Sequence, residues 1–154
     1  MRSAKAFFNW AFSTRAKSVM KIYNDEPITP EKMFLSFCSH DPTFISHGPA
    51  GLNGSIKGIG FMPKPEYLEE TLEAYIKHIK TYDPEDKTYS KRGLGVLIKY
   101  MYGDEAHDRI DFEHIGSLEM AKQHSYANYK VNPEATLLFY QPPMVSFEVR
   151  GTMH

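Results

Sequence analysis

Seven histidines are the residues best equipped for metal or proton chemistry: His40, His47, His78, His107, His114, His124 and His154. His40-Asp41 and His47 flank a turn at Pro42, and His107, Asp108, Asp111 and His114 gather further on. A metal needs three or four ligands converging at about 2 Å, usually with a close pair at i, i+2 or i, i+4. Both His pairs here are spaced i, i+7, and on a strand residues 107 and 114 would point to opposite faces. The expectation is no metal site.

The glycines at 48, 51, 54, 58 and 60 suggest a phosphate-binding loop, but the pattern is wrong. A P-loop needs Gly-x-x-x-x-Gly-Lys-Ser/Thr opening a helix. Here Ser55-Ile56-Lys57 follows Gly54, and Pro63 and Pro65 block an immediate helix. Cys38, beside Phe37 in an apolar stretch, reads as a buried thiol rather than a nucleophile. No Gly-x-Ser-x-Gly elbow exists. Asp104, Glu105, Asp108, Asp111 and Glu113 read as a solvated acidic face. No residue is assigned a catalytic role, so the sequence leans away from an enzyme.

Aromatic content says more. The chain has ten Tyr, ten Phe and eight Met in 154 residues. Tyr67, Tyr75, Tyr82, Tyr89, Tyr100, Tyr102, Tyr126, Tyr129 and Tyr140 exceed what one core takes up. Tyr and Met are enriched at protein–protein interfaces.

The elements that must position these groups follow from periodicity. Residues 3–23 suit a helix burying Phe7, Ala11, Phe12, Val19 and Ile22. Thr29-Pro30 starts a short helix to Cys38 that would bury Met33, Phe34 and Phe37. Residues 39–65 read as a long Gly/Pro loop with a short strand near Thr43 to Ser46. Residues 66–82 give a helix whose stripe is Leu68, Leu72, Tyr75, Ile76 and Ile79. Leu94 to Tyr102 alternates like a strand, paired with Asp108 to Ile115. A helix of about 15 residues from Ser117 and two strands, Thr136 to Tyr140 and Val145 to Arg150, complete the chain. The fold class is α+β: helices and a long loop, then a small antiparallel sheet with packed helices. The expected organisation is 1–24 as a basic amphipathic helix, 25–65 as short helix plus loop, and 66–154 as the α+β body.

Charge is distributed unevenly. Net charge is −1, yet Met1 to Asn24 holds no acidic residue and five basic ones: Arg2, Lys5, Arg15, Lys17 and Lys21. Phe7, Phe8, Trp10 and Phe12 lie among them. A basic, acid-free amphipathic start resembles a mitochondrial targeting segment; a cytoplasmic chain with an ordinary helix is the alternative. The same segment suits an anionic membrane surface. The near-neutral whole gives no support to a nucleic-acid partner. One cysteine excludes an internal disulfide, and no apolar run approaches the ~20 residues that span a bilayer.

From Ile110 to Gly151 the chain resembles the pyridoxamine-phosphate-oxidase-like, FMN-binding split-barrel family. Asn128-Tyr-Lys-Val-Asn-Pro133 is similar to that family's helix end. Glu134 to Tyr140 and Ser146 to Gly151 are similar to its next two strands. The resemblance implies FMN as cofactor, with Lys122, His124 and Ser125 near its phosphate and Arg150 contributing. A weaker resemblance, to the NTF2-like cone, implies a ligand mouth near His40, Asp41 and His47. The reading that combines these features is a non-catalytic accessory subunit of a larger mitochondrial assembly, whose partners are other protein subunits. Its N-terminal helix and long loop would be arms. An FMN-binding flavoprotein is the alternative.

Overall fold

The computed structural model describes residues 2–154. Its elements run α1 (Arg2–Phe8), a π-helical turn (Asn9–Ser13), α2 (Thr14–Tyr23), α3 (Pro30–Phe37), β1 (Thr43–Gly48), β2 (Gly51–Ile56) and β3 (Ile59–Pro63). They continue with α4 (Pro65–Ile79), α5 (Tyr89–Leu97), a second π turn (Ile98–Tyr102), a 3₁₀ segment (Asp104–Arg109), β4 (Ile110–Ser117), α6 (His124–Tyr129), β5 (Glu134–Gln141) and β6 (Val145–Thr152). The class is α+β, as the pattern indicated. Two compact units interleave along the chain: Met1–Thr29 with Phe61–Ile115, and Pro30–Gly60 with Gly116–His154.

Unit 1 is helical and aromatic. Phe12, Met101 and Ile110 form its buried cluster, with Phe8, Phe61, Phe112, Tyr75, Tyr100 and Tyr102 packed around them. Phe8 meets Phe112 edge-on at 4.4 Å between ring centroids, and Phe12 meets Phe112 at 5.1 Å. Such edge-to-face pairs add about 0.5–1.5 kcal/mol each beyond area burial. The basic N-terminal segment is therefore built into a core, not held out as an arm. Ala11, Phe12 and Val19 are buried as expected, Phe7 and Ile22 are only half-buried, and Phe8, also half-buried, packs against the cluster. The π turn at 9–13 adds a residue to the helical repeat and shifts which positions face inward.

Leu94 to Tyr102 is not a strand. It continues α5 into the second π turn. The i, i+2 alternation was real, but Leu94, Leu97, Ile98 and Met101 also fit the helical repeat. Met101 is the one of these that is buried. The strand at 110–117 exists and pairs with β3 instead. That two-stranded ribbon is pinned by Lys64 N–H to Arg109 O at 2.8 Å.

Unit 2 holds a four-stranded antiparallel sheet in the order β2-β1-β5-β6. The 39–65 segment is thus three strands, not a loop. Gly48 faces Gly51 across the first hairpin, and Gly51 takes φ +78°, which a side chain disfavours. Phe44 and Phe139 are the buried aromatics of this sheet. On β6, Val145, Phe147 and Val149 are half-buried while Ser146, Glu148 and Arg150 are exposed, as alternation required.

Two further expectations fail. Met33, Phe34 and Phe37 on α3 are exposed, and Cys38 is half-buried. The 15-residue helix from Ser117 shrinks to α6. Glu119 explains this: its Oε1 accepts the N–H groups of Ala121 and Lys122, and Lys122 adopts φ +49°. A side chain that satisfies these backbone donors competes with helix formation.

Candidate functional site

Two places in the fold gather residues beyond what simple packing needs. The first, in unit 2, joins α6 to the β1–β2 hairpin. Asn128 is fully buried. Its Nδ2 donates to Gly51 O at 2.8 Å and to Ser46 Oγ at 3.3 Å, and its Oδ1 accepts Ala50 N–H at 2.8 Å. A Cβ on Gly48 would stand 2.8 Å from Asn128 Cα, so only glycine lets α6 seat this closely. Ser125, also buried, receives Asn53 Nδ2 at 2.9 Å and shares a hydrogen bond with Ser55 Oγ at 2.7 Å. Asn132 Nδ2 donates to His47 O at 3.1 Å. Lys57, after β2, pairs with Glu119 at 2.5 Å with both side chains largely covered. Glu119 is held below its ordinary pKa, first by the Lys57 hydrogen bond. This network lets the short, glycine-bearing β2 stay ordered.

The four residues that the split-barrel resemblance singled out fall here unevenly. Ser125 is buried, with its hydroxyl committed to Asn53 and Ser55. Lys122 is exposed in the turn before α6, and His124 is exposed at the first position of α6. Arg150 is exposed on β6, where its Nε donates to Glu148. The FMN-phosphate cradle that the resemblance implies fits these residues in part: Lys122 and His124 present open side chains, whereas Ser125 and Arg150 are already engaged.

The histidines stay apart. His114 Nδ1 lies 2.7 Å from Asp111 Oδ2, and His107 Nδ1 lies 3.6 Å from Asp108 Oδ1. Asp111 is held below its ordinary pKa, first by the Glu113 N–H and then by His114. His107 sits on the 3₁₀ segment rather than a strand. His40 and Asp41 precede β1, and His47 lies exposed on it. Among the described residues no group of three His, Cys, Asp or Glu side chains is placed to hold a metal ion.

The second place is α4, in unit 1. Lys64 precedes it, Pro65 takes its first position, and its last turn carries Lys77 and His78. Thr71 is buried, and Tyr67, Ala74, Tyr75 and His78 are half-buried. At 100° per residue these five occupy one face. Burial, with Tyr102 nearby, pushes the Tyr75 hydroxyl up to about 12. Arg109 stacks on Tyr67 at 4.5 Å and pairs with Glu70 at 2.5 Å. The aliphatic stripe lies about a third of a turn away. Leu68, Leu72, Ile76 and Ile79 are 43%, 53%, 40% and 63% exposed. The expectation that this stripe is core is overturned except at Tyr75. Sequence periodicity found the stripe; it could not show that a different face, led by Thr71 and the aromatics, packs inward.

No protein-family model matches the chain, and no curated protein or solved structure matches it. Among the described residues no helix is long and apolar enough to cross a membrane.

Proposed function

We propose that this chain is a non-catalytic accessory subunit that docks onto a larger protein assembly through the exposed face of α4. The observation that carries the reading is the stripe Leu68, Leu72, Ile76 and Ile79, four aliphatic side chains in line and left in water. Contiguous apolar patches on soluble proteins mark interaction sites. Roughly half of the ~1.5–3 kcal/mol that full burial of each side chain supplies is still to be gained. The docking element is a helix face, not an extended arm, because residues 2–24 and 39–65 are folded into the two units.

The compartment proposed is the mitochondrion, from the basic, acid-free 1–24 segment. Since Phe8 and Phe12 lie in the unit 1 core, the segment stays on the mature chain in this reading. The experiment is native electrophoresis of the chain from its own cells, beside Leu72→Glu/Ile76→Glu. Wild type should migrate within a high-mass band and the double variant should leave it. A wild-type chain migrating as a monomer ends the proposal.

A second reading is an FMN-binding protein. The order β4, α6, β5, β6 favours it, because it reproduces the strand, helix, strand, strand order that the resemblance implies. Titrating the purified chain into FMN tests it. Quenching of flavin fluorescence that Lys122→Glu abolishes would support it, and unquenched fluorescence would remove it.

A further inference from the structure

Unit 1 carries a cavity of about 660 Å³ on the other side of α4 from the aliphatic stripe. Lys77 of α4, Lys91 and Arg92 of α5, and Lys99 of the second π turn line it. Among the described residues no carboxylate lines it, in a chain whose net charge is −1. Two of the cations have counter-ions from outside the lining: Lys91 pairs with Asp25 and Arg92 with Asp86. Lys77 and Lys99 have no ion pair among the described residues, so the rim holds an excess of positive charge. Tyr23, Tyr100, Ala74, Val96 and His78 also line it, and His78 stacks on Tyr89 at 4.3 Å.

The backbone around this groove is unusual in ways that shape it. Gly93 and Gly95 lie inside α5, where a glycine weakens a helix relative to alanine. A Cβ on Gly93 would stand 2.8 Å from His78 Nε2, and one on Gly95 would stand 3.5 Å from Tyr23 Cε2. The glycines let α5 close on α4 and Tyr23. The π turn at Ile98–Tyr102 then sets Lys99 and Tyr100 on the groove wall. Such turns concentrate at functional sites.

We propose that this groove binds a phosphorylated small molecule with at least two negative charges and a flat organic body. Its volume lies within the range of small-molecule sites, roughly 300–1,000 Å³. Lysines act on phosphate as point charges, and an arginine can add a forked contact. Lys91 lies over the Tyr23 ring at 5.8 Å and Lys99 over the Tyr100 ring at 5.0 Å, so each cation stands beside an aromatic surface that suits a planar group. This inference does not rest on the docking reading, since the aliphatic stripe and the groove use different faces of α4.

The test is calorimetric titration of the full chain with ATP as probe, with tripolyphosphate and adenosine in separate runs. ATP should bind, and tripolyphosphate should bind more weakly. Lys77→Glu/Lys99→Glu should weaken ATP at least roughly tenfold, since each lost cation removes a charge-assisted contact. Lys130→Glu, exposed in unit 2, should leave ATP affinity unchanged. Circular dichroism melts would confirm that both variants fold. No heat with ATP at about 1 mM, a limit reaching contacts as weak as ~4 kcal/mol, would overturn the proposal. So would adenosine binding as tightly as ATP, or full affinity in the folded double variant.

Discussion

The side-chain oxygen of Asn128 accepts the Ala50 N–H at 2.8 Å, across 78 residues of chain. One buried amide on α6 thereby fixes the turn of a hairpin that its own sequence barely specifies. β2 reads Gly-Leu-Asn-Gly-Ser-Ile, with two glycines and no apolar alternation. Its order comes from pairing with β1 and from the hydroxyl and amide contacts of Asn128 and Ser125.

Asn128→Ala removes three hydrogen bonds and takes from the buried Ser46 hydroxyl the amide that donates to it. Leaving one buried polar group unsatisfied costs about 1–3 kcal/mol. Urea denaturation should show a loss of at least that size. Amide exchange should rise first at residues 50–55. Unchanged protection there would mean the hairpin holds itself.

Phe12→Ala should cost about 3–5 kcal/mol, the usual penalty for emptying a buried aromatic position. The loss should appear as weakened near-ultraviolet signal from the aromatic cluster around Phe112. Removing residues 1–24 should go further and unfold unit 1. A truncated chain with an intact near-ultraviolet spectrum would show that the segment is dispensable, as a cleaved address would be.

Much of this architecture was legible in the sequence and some was not. The helix start at Pro30 follows from local chemistry and stands where it was expected, whereas Pro65, read as blocking a helix, takes the first position of α4. The strands at 134–141 and 145–152 follow from alternation. Strand 43–48 was legible in part, as Thr43 to Ser46, while strands 51–56 and 59–63 were hidden because glycine and proline signal turns and the groups that order them are distant in sequence. Residues 94–102 satisfied two periodicities at once, and packing of Met101 chose the helical one. At the candidate surfaces, the stripe on α4 was visible and its exposure was not. The cationic groove had no local signal, because Lys77 and Lys99 become neighbours only when α5 closes on α4.

Asp86 gives a pH-dependent test. Its carboxyl is lowered from 3.8 to about 2, first by the Thr88 hydroxyl, then by Arg92, then by the Thr88 N–H. A depressed carboxylate adds stability that is complete above its unfolded value and lost as pH falls toward the folded one. The clamp at the start of α5 should therefore persist at pH 4 and weaken from there down to about pH 2. Carbon-detected NMR titration should place the Asp86 midpoint near 2, and Thr88→Val should raise it. A midpoint near 3.8 in the wild type would mean the Thr88 and Arg92 contacts do not hold in solution.

Lys57→Met should leave Glu119 without its cation and cost roughly 1.5–3 kcal/mol, the range for a hydrogen bond to a charged group. The Glu119 carboxyl should then titrate closer to its ordinary value, because its largest lowering contact is gone. Equal stability of the variant in chemical denaturation would show that the 117–123 turn is held by its backbone contacts alone.

The docking face of α4 is tested most directly by a photo-crosslinking residue placed at position 72 in the chain's own cells. Position 73, a third of a turn round the helix on the charged face, serves as its control. A partner docked on the stripe gives a discrete adduct at 72, absent at 73 and lost when Ile76→Glu and Ile79→Glu are added. No adduct at 72, or equal adducts at both positions, would contradict the account.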